Sequence, residues 1–275
     1  MPRTTIHPSS LVDPSCELGE GVEIGPNCVL RGAVRLGAGV KLVGCSHLEG
    51  PVEVGANTTI YPGTCLGFPP QDYKFKLGSP TAGVRIGAEC LIREHVTVHA
   101  ASKAPGQGPP TTVGDRCFLM VGSHLGHDAR IGNDVILVNG SLLAGHTEVG
   151  DKATLSGHAA IHQFVRIGRF AFVSGLAAIA RDVPPFVIAA ERNLMFGINV
   201  VGMRRNGFAR EEIKNVRDAF RLAFRTPRPR PEQLAVLREL GERSPAVREM
   251  AEFVAGSKRG LVACAGVDED EGAEA

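Results

Sequence analysis

The chain has 275 residues, of which 43% are hydrophobic and 21% are charged, and its net charge at pH 7 is +1. A charge this close to zero gives no general case for nucleic-acid binding. No apolar run approaches the roughly 20 residues of a membrane span, and no signal-peptide pattern is present. The seven cysteines are odd in number and form no CxxC pair, which argues against a disulfide framework or a structural zinc site. We therefore expect a protein of the reducing cytoplasm, without membrane insertion.

The main pattern of the sequence is an aliphatic residue at every sixth position. It runs from Ile6 to Leu66, from Ile86 to Val98, and from Val113 to Ile179. Neither an α-helix, with a period of 3.6, nor a plain strand, with a period of 2, produces this spacing. A period of six is typical of the parallel β-helix, in which three hexapeptides make one coil. We predict this all-β fold for residues 1–183, with residues 18 apart stacked in neighbouring coils.

The two interruptions of the period predict loops that leave the coils, at about residues 67–83 and 100–112. The first loop contains Gln71, Asp72 and Lys74 among aromatic residues. Because loops on a rigid scaffold commonly carry function, we predict that it is a functional loop. The second loop is rich in Ala, Pro and Gly, and the sequence assigns it no role.

The period ends at Asp182-Val183-Pro184-Pro185, and residues 184–262 predict a small α-helical C-terminal domain. Apolar residues at helical spacing predict a helix over Arg210–Arg225. Two shorter helices, at about 231–240 and 245–255, each begin at a proline, which favours the first helical turn. Residues 263–275 are acidic and predict a disordered tail.

The period also predicts which histidines lie together. His127, Gly145 and Gln163 are 18 positions apart and should form one column, with a second column formed by Asp128, His146 and Phe164. His124 and His162 should lie beside them. A histidine base next to an exposed backbone N–H is the minimum requirement for acyl transfer. The other five histidines are predicted to be structural or on the surface: His7, His47, His95, His99 and His158.

Several motifs resemble those of the acyl-ACP–UDP-N-acetylglucosamine O-acyltransferases, which carry out the first step of lipid A synthesis. The resemblance covers residues 6–262 and rests on these segments: Gln71-Asp72-Tyr73-Lys74, Ile92-Arg93-Glu94-His95-Val96-Thr97-Val98-His99, Ser123-His124-Leu125-Gly126-His127-Asp128, Leu143-Ala144-Gly145-His146, Ile161-His162-Gln163-Phe164, Asp182-Val183-Pro184-Pro185-Phe186-Val187-Ile188-Ala189, Phe196-Gly197-Ile198-Asn199 and Arg259-Gly260-Leu261. It implies a left-handed β-helix and a homotrimer with sites between subunits.

The resemblance also implies roles for individual residues. His127 would be the general base, Asp128 would orient it, and the Gly145 N–H would stabilise the oxyanion. Gln71, Asp72 and Lys74 would contact the sugar and phosphate. His124, His146, His162 and Gln163 would line the path of the sugar and the acyl-phosphopantetheine, and Asn199, Arg204 and Arg205 would hold the nucleotide. Glycine at position 175 would leave room for a long 3-hydroxyacyl chain. The acyl group would arrive on acyl carrier protein, and no other cofactor and no metal is expected.

The sequence departs from the family pattern in the nucleotide pocket. Val201 stands where the family usually has an acidic residue, and Arg205-Asn206 where it has two arginines. The acceptor therefore stays open between the 3-hydroxyl of UDP-N-acetylglucosamine and a 3-amino analogue, which would give an amide. A second alternative is the related N-acyltransferase of the same pathway. That family carries a separate N-terminal uridine-binding domain, whereas the hexads here begin at Ile6, which argues against this alternative. A non-catalytic scaffold subunit is the third alternative.

Overall fold

The computed structural model, which describes residues 3–266, is a parallel β-helix followed by four helices. The chain passes through three sheets in turn, so that each sheet gains one strand per coil. We call the turn between the first and second sheets the first corner, the turn between the second and third sheets the second corner, and the turn back to the first sheet the third corner. This confirms the β-helix that the period of six predicts.

The strands are short, because each spans only one side of a narrow prism. The first sheet contains Thr5–Ile6, Glu23–Ile24, Lys41–Leu42, Thr59–Ile60, Leu91–Ile92, Phe118–Leu119, Ile136–Leu137, Thr154–Leu155, Phe172–Val173, Val187–Ala190, Leu194–Ile198 and Ala263–Cys264. The second contains Leu11–Val12, Val29–Arg31, His47–Glu49, Cys65–Leu66, Thr97–Val98, His124–Leu125, Leu142–Leu143, Ala160–Ile161 and Ala178–Ile179. The third contains Glu17–Leu18, Val34–Leu36, Val52–Val54, Val84–Ile86, Thr111–Val113, Arg130–Ile131, Glu148–Val149 and Arg166–Ile167.

The aliphatic residues of the period form the core. Leu119, Leu137 and Leu155 stack in successive coils, and none is exposed to solvent. Ile6 holds the same position in the first coil but is 46% exposed. Each coil buries only a thin layer, so an aliphatic residue is fully covered only when a coil lies on either side of it.

Both predicted loops leave the β-helix at the second corner. Cys65 pairs with Thr97 and Thr97 pairs with His124, 32 and 27 positions apart, whereas His124 pairs with Leu142 at the regular 18. The extra residues lie between Leu66 and Val84 and between Val98 and Thr111. The insertions therefore project from the corner without disturbing the register of the coils.

The sequence predicts an α-helical domain for residues 184–262, but the structure also contains strands there. Val187–Ala190 extends the first sheet in parallel and then forms an antiparallel hairpin with Leu194–Ile198. Ala263–Cys264 pairs with Leu194–Met195, so the prediction of a disordered tail from residue 263 is wrong for its first residues. These strands add to an existing sheet edge, and the period of six carries no signal for them. Residues 267–275 of the predicted tail lie outside the described residues.

Four helices follow: α1 (Val200–Arg205), α2 (Arg210–Phe224), α3 (Arg230–Gly241) and α4 (Pro245–Ala255). The last three lie close to the predicted bounds, whereas α1 has no counterpart in the prediction. A bidentate ion pair between Arg169 and Glu249 fixes α4 to the third corner, at distances down to 2.7 Å. Within residues 3–266, no helix has the length and apolar character needed to cross a bilayer.

Candidate active site

The second corner carries the predicted histidine columns. The turn after Leu125 holds His127 and Asp128, and the next two coils place Gly145-His146 and Gln163-Phe164 at the same positions. The His146 N–H donates to the His127 carbonyl oxygen at 2.9 Å, and the Phe164 N–H donates to that of Gly145 at 3.1 Å. The stacking predicted from the spacing of 18 is therefore confirmed.

His127 and Asp128 form a short, mostly buried pair. Nδ1 of His127 lies 2.7 Å from Oδ2 of Asp128, and their side chains are 16% and 12% exposed. Burial alone would raise the pKa of Asp128, but hydrogen bonds from His127 and from the Ser102 N–H outweigh it and lower that pKa. An ionised carboxylate can only accept a hydrogen bond. The Nδ1 of His127 therefore carries the proton, and Nε2 is free to take one from a substrate.

Gly145 leaves the space that Nε2 of His127 occupies. A Cβ atom at position 145 would lie 2.7 Å from this nitrogen, closer than van der Waals contact allows. Among the described residues, the Gly145 N–H has no hydrogen-bond acceptor. A basic nitrogen and a free backbone donor thus stand side by side at one point of the second corner.

Two further histidines surround the pair, and both are held neutral. The His146 ring stacks on Phe164 with centroids 4.5 Å apart, and burial lowers the pKa of His146. His124 contacts the Thr97 hydroxyl at 2.7 Å through Nδ1. Burial, together with the neighbouring His99, lowers the pKa of His124 to about 4. Neutral rings at these positions suit hydrogen bonding to an uncharged sugar.

The pKa of His124 predicts a pH-dependent stability. The unfolded chain protonates His124 near pH 6.5, whereas the folded chain resists protonation until about pH 4. The contribution of neutral His124 to stability is therefore complete above about pH 6.5 and falls as the pH drops towards 4. When the pH is lowered from 7.5 to 5, we expect the free energy of unfolding, measured with denaturant, to fall by about 2 kcal/mol more in the wild type than in His124→Asn. Equal losses in the two proteins would contradict this.

The same cluster offers donor atoms to a metal ion, and its geometry argues against one. Donor atoms of His127, Asp128 and His146 lie within 4.8 Å of one another. Ligands around a tetrahedral zinc ion at about 2.1 Å would be about 3.4 Å apart, so Nδ1 of His127 and Oδ2 of Asp128, which are 2.7 Å apart, would have to separate to bind one ion together. The direct hydrogen bond is the arrangement of a base with its orienting carboxylate.

The second loop, to which the sequence assigned no role, holds Asp128 in place. The Ser102 N–H lies 3.1 and 3.2 Å from the two carboxylate oxygens, and the Asp128 N–H donates to Oγ1 of Thr111 at 2.8 Å. Sequence reasoning missed both residues. The period of six could have indicated this contact. Both loops and His127 follow strands that stack in the second sheet, so the loops must leave the coils at the corner that carries His127.

The remaining predicted residues on the second corner are more exposed. His162 and Gln163 lie on the surface, and Nδ1 of His162 is 3.4 Å from a guanidinium nitrogen of Arg259. Asp72 is half-buried on the first loop, where it accepts a hydrogen bond from the Lys74 N–H at 2.9 Å. Gln71 and Lys74 are exposed beside it.

The predicted nucleotide residues lie at the third corner, away from His127. Asn199 caps α1 through the Gly202 N–H at 2.8 Å and donates to the Phe170 carbonyl oxygen at 2.9 Å. Arg204 and Arg205 are exposed on α1. Asn206, a departure from the family pattern, accepts a hydrogen bond from Lys152 at 2.8 Å.

Gly175 lies at the first corner, where a Cβ would come no closer than 3.3 Å to another atom. The predicted site residues of a single chain therefore lie at all three corners: Gly175 at the first, the group around His127 at the second, and the predicted nucleotide residues at the third. One chain does not bring them into one pocket.

Comparison with known proteins finds matches along nearly the whole chain. Residues 182–262 match the family described as UDP N-acetylglucosamine O-acyltransferase, domain 2, and residues 110–145 match bacterial transferase hexapeptide repeats. An acyl-[acyl-carrier-protein]–UDP-N-acetylglucosamine O-acyltransferase from Azorhizobium caulinodans is 48% identical over 260 residues, covering 92% of this chain and 94% of the relative. One of the same name from Thermodesulfovibrio yellowstonii is 41% identical, with 93% and 98% covered.

Solved structures agree with these relatives. The UDP-N-acetylglucosamine acyltransferase of Francisella novicida superimposes with a TM-score of 0.90 at 31% identity. The match covers 97% of this chain and 95% of that chain, so it includes both the β-helix and the C-terminal helices.

Proposed function

The chain belongs to the acyl-[acyl-carrier-protein]–UDP-N-acetylglucosamine O-acyltransferase family, and on that basis we propose how its residues carry out the reaction. The substrates are a 3-hydroxyacyl group on acyl carrier protein and UDP-N-acetylglucosamine, and the acyl group goes to the 3-hydroxyl of the sugar, in the lipid A pathway. The observation that carries the mechanism is Nε2 of His127 standing over Gly145, beside a backbone N–H without an acceptor among the described residues.

In the proposed step, Nε2 of His127 removes the proton of the sugar 3-hydroxyl as its oxygen attacks the thioester carbonyl carbon. The carbonyl oxygen becomes negative and accepts a hydrogen bond from the Gly145 N–H. The carbon–sulfur bond then breaks, and the departing thiolate takes the proton from His127. Asp128, ionised and hydrogen-bonded to Nδ1, stabilises the imidazolium that forms in between. No group besides the chain and its two substrates is needed to balance this step.

The charges of the other residues fit an anionic nucleotide sugar. Lys74 lies on a loop at the same corner as His127, and its ammonium group can pair with phosphate. Neutral His124 can form a hydrogen bond with a sugar hydroxyl through Nε2, and neutral His146 can also form one. Gly175 carries no side chain at the first corner, which is compatible with a long acyl chain there.

The distribution over three corners supports a homotrimer in which neighbours complete each site. Five outward positions in the later coils of the first sheet are apolar and half-buried in the single chain: Leu91, Phe118, Ile136, Phe172 and Ile188. Beside them, Leu142 on the second sheet and Leu176 at the first corner are 47% and 81% exposed. The third sheet carries ion pairs along its outer face, such as Arg85 with Glu53 at 3.1 Å, and the first sheet carries Lys41 with Glu23 at 2.7 Å in its early coils.

This division suggests that the first corners face the threefold axis and the third sheets face solvent. The second corner of one chain would then lie beside the third corner of the next. His127 would meet the neighbour's nucleotide residues, and the acyl chain would run inward between apolar faces. An apolar patch such as the one on the later coils is typical of a protein interface.

The direct test is an assay with purified protein. We expect the acylated nucleotide sugar, detected by mass spectrometry, when 3-hydroxyacyl carrier proteins of several lengths are incubated with UDP-N-acetylglucosamine. A parallel incubation with the 3-amino sugar nucleotide distinguishes ester from amide formation. Absence of product with both acceptors and every chain length would refute the proposed reaction and favour a scaffold role.

Mixed oligomers test whether the site is shared. We expect His127→Ala and Arg205→Ala to be inactive alone and active after co-expression. In a mixed ring of three, one site pairs an intact His127 with an intact Arg205, so random mixing should give about a quarter of wild-type activity. Oligomers made separately and combined without exchange are the control. If both residues acted within one chain, co-expression would restore nothing.

A further inference from the structure

The two loops at the second corner are joined to each other by backbone hydrogen bonds. From the second loop, the N–H groups of Ala100 and Ala101 donate to the carbonyl oxygens of Phe68 and Gly83, at 2.9 and 3.1 Å. From the first loop, the Ala82 N–H donates to the carbonyl oxygen of Lys103 at 2.7 Å. Both ends of the first loop are therefore attached to the second loop. Since Ser102 of the second loop also binds Asp128, one continuous set of contacts runs from the first loop to the catalytic pair.

His99 adds a side-chain contact at the start of the first loop. Its Nδ1 lies 2.7 Å from the carbonyl oxygen of Pro69, two residues before Gln71. A carbonyl oxygen only accepts, so Nδ1 carries the proton. Burial lowers the pKa of His99, which keeps the ring neutral. The ring also packs edge-on against His124, with centroids 5.2 Å apart.

From Gln71 to Ser79, the hydrogen bonds seen among the described residues are made within the loop itself. Asp72 accepts from the N–H groups of Lys74 and Phe75, both at 2.9 Å, and the Ser79 N–H donates to Lys76 at 3.0 Å. Tyr73 is fully exposed. Short local turns of this kind fix the shape of a loop but do not fix its direction. The direction depends on the anchors at its ends.

We propose that His99 is a positioning residue that aims the first loop at the active site. It does not touch the reacting atoms. It connects Pro69 to His124, so that Asp72 and Lys74 extend from a fixed point at the corner that carries His127. The part of this proposal that concerns substrate binding rests on the proposed function, whereas the anchoring of the loop does not.

Two substitutions separate the hydrogen bond from the bulk of the ring. The amide nitrogen of Asn can stand near the position of Nδ1, whereas that of Gln reaches the position of Nε2. We expect His99→Gln to raise the KM for UDP-N-acetylglucosamine about five- to tenfold, the effect of losing one hydrogen bond. The kcat at saturating substrate should stay within about twofold, since the catalytic pair is untouched. His99→Asn should restore most of the wild-type KM.

Limited proteolysis of the native protein measures the anchoring without any assay of activity. Trypsin can cleave after Lys74 or Lys76, which are both exposed. We expect cleavage there to be about five- to tenfold faster in His99→Gln than in the wild type or His99→Asn. His7→Gln, at an exposed histidine of the first coil, should change neither measurement and serves as the control.

The outcomes are distinct. Wild-type cleavage rates in His99→Gln would overturn the anchoring role, and faster cleavage with an unchanged KM would overturn its link to substrate binding. If the wild type had no acyltransferase activity, the proposed function would fail, and the trypsin measurement would still decide whether His99 holds the loop.

Discussion

His127→Ala is expected to lower kcat by about 10²- to 10⁴-fold, the usual contribution of a general base. The substitution removes the nitrogen that would take the proton of the sugar hydroxyl, and nothing among its described neighbours can replace it. His146 and His124 are neutral, but His146 stacks on Phe164 and His124 contacts Thr97. The KM for the nucleotide sugar should change only a few-fold, because His127 acts mainly in the transition state.

The fold should survive this substitution. His127 lies in a turn at the second corner, outside the aliphatic core, so the protein should fold and keep the oligomer mass of the wild type. The thermal unfolding midpoint should fall by only about a few degrees, because Asp128 loses one hydrogen bond but keeps that from the Ser102 N–H. His7→Ala, which removes an exposed imidazole far from this corner, is the matched control for activity. A folded His127→Ala protein with kcat within about threefold of the wild type would show that the base is misassigned.

Gly145→Ala is expected to lower kcat about 100-fold, although it adds only a methyl group. The new Cβ would lie 2.7 Å from Nε2 and 2.8 Å from Cε1 of His127. The ring must move away, and the 2.7 Å hydrogen bond to Asp128 must break or bend. A displacement of about 1 Å in a catalytic group can cost about 100-fold in rate.

A double-mutant cycle identifies the cause of that loss. With Ala at position 127 there is no ring to displace, so adding Gly145→Ala to His127→Ala should cost little more activity. The backbone N–H at position 145 is present in all four proteins, so its contribution cancels. Full additivity of the two losses would show that Gly145→Ala acts by a route other than His127.

The period of six determined most of the architecture. It is a property of consecutive residues, because each hexad forms one side of a coil by local geometry, and stacking then follows at a spacing of 18. That is why the spacing alone places His127, Gly145 and Gln163 in one column. It also explains why the period bounds the two insertions closely.

The C-terminal elements show where this kind of reasoning stops. Ile213, Val216, Phe220 and Phe224 predicted α2 because a helix buries one face at its own period. The hairpin of Val187–Ala190 and Leu194–Ile198 forms because the last coil leaves an open sheet edge, and that edge exists only in the folded chain.

The scaffold, the histidine columns and the family could all be predicted from the residues alone. Three features became visible only in the folded chain: Ser102 and Thr111 hold Asp128, His99 contacts Pro69 of the first loop, and Asn199 lies at a different corner from His127. The two groups of features differ in the range of the interactions that produce them. A repeat specifies contacts between residues at a fixed spacing, whereas a loop can place its N–H and carbonyl groups against any neighbour its length allows, so those contacts arise only when distant segments pack together.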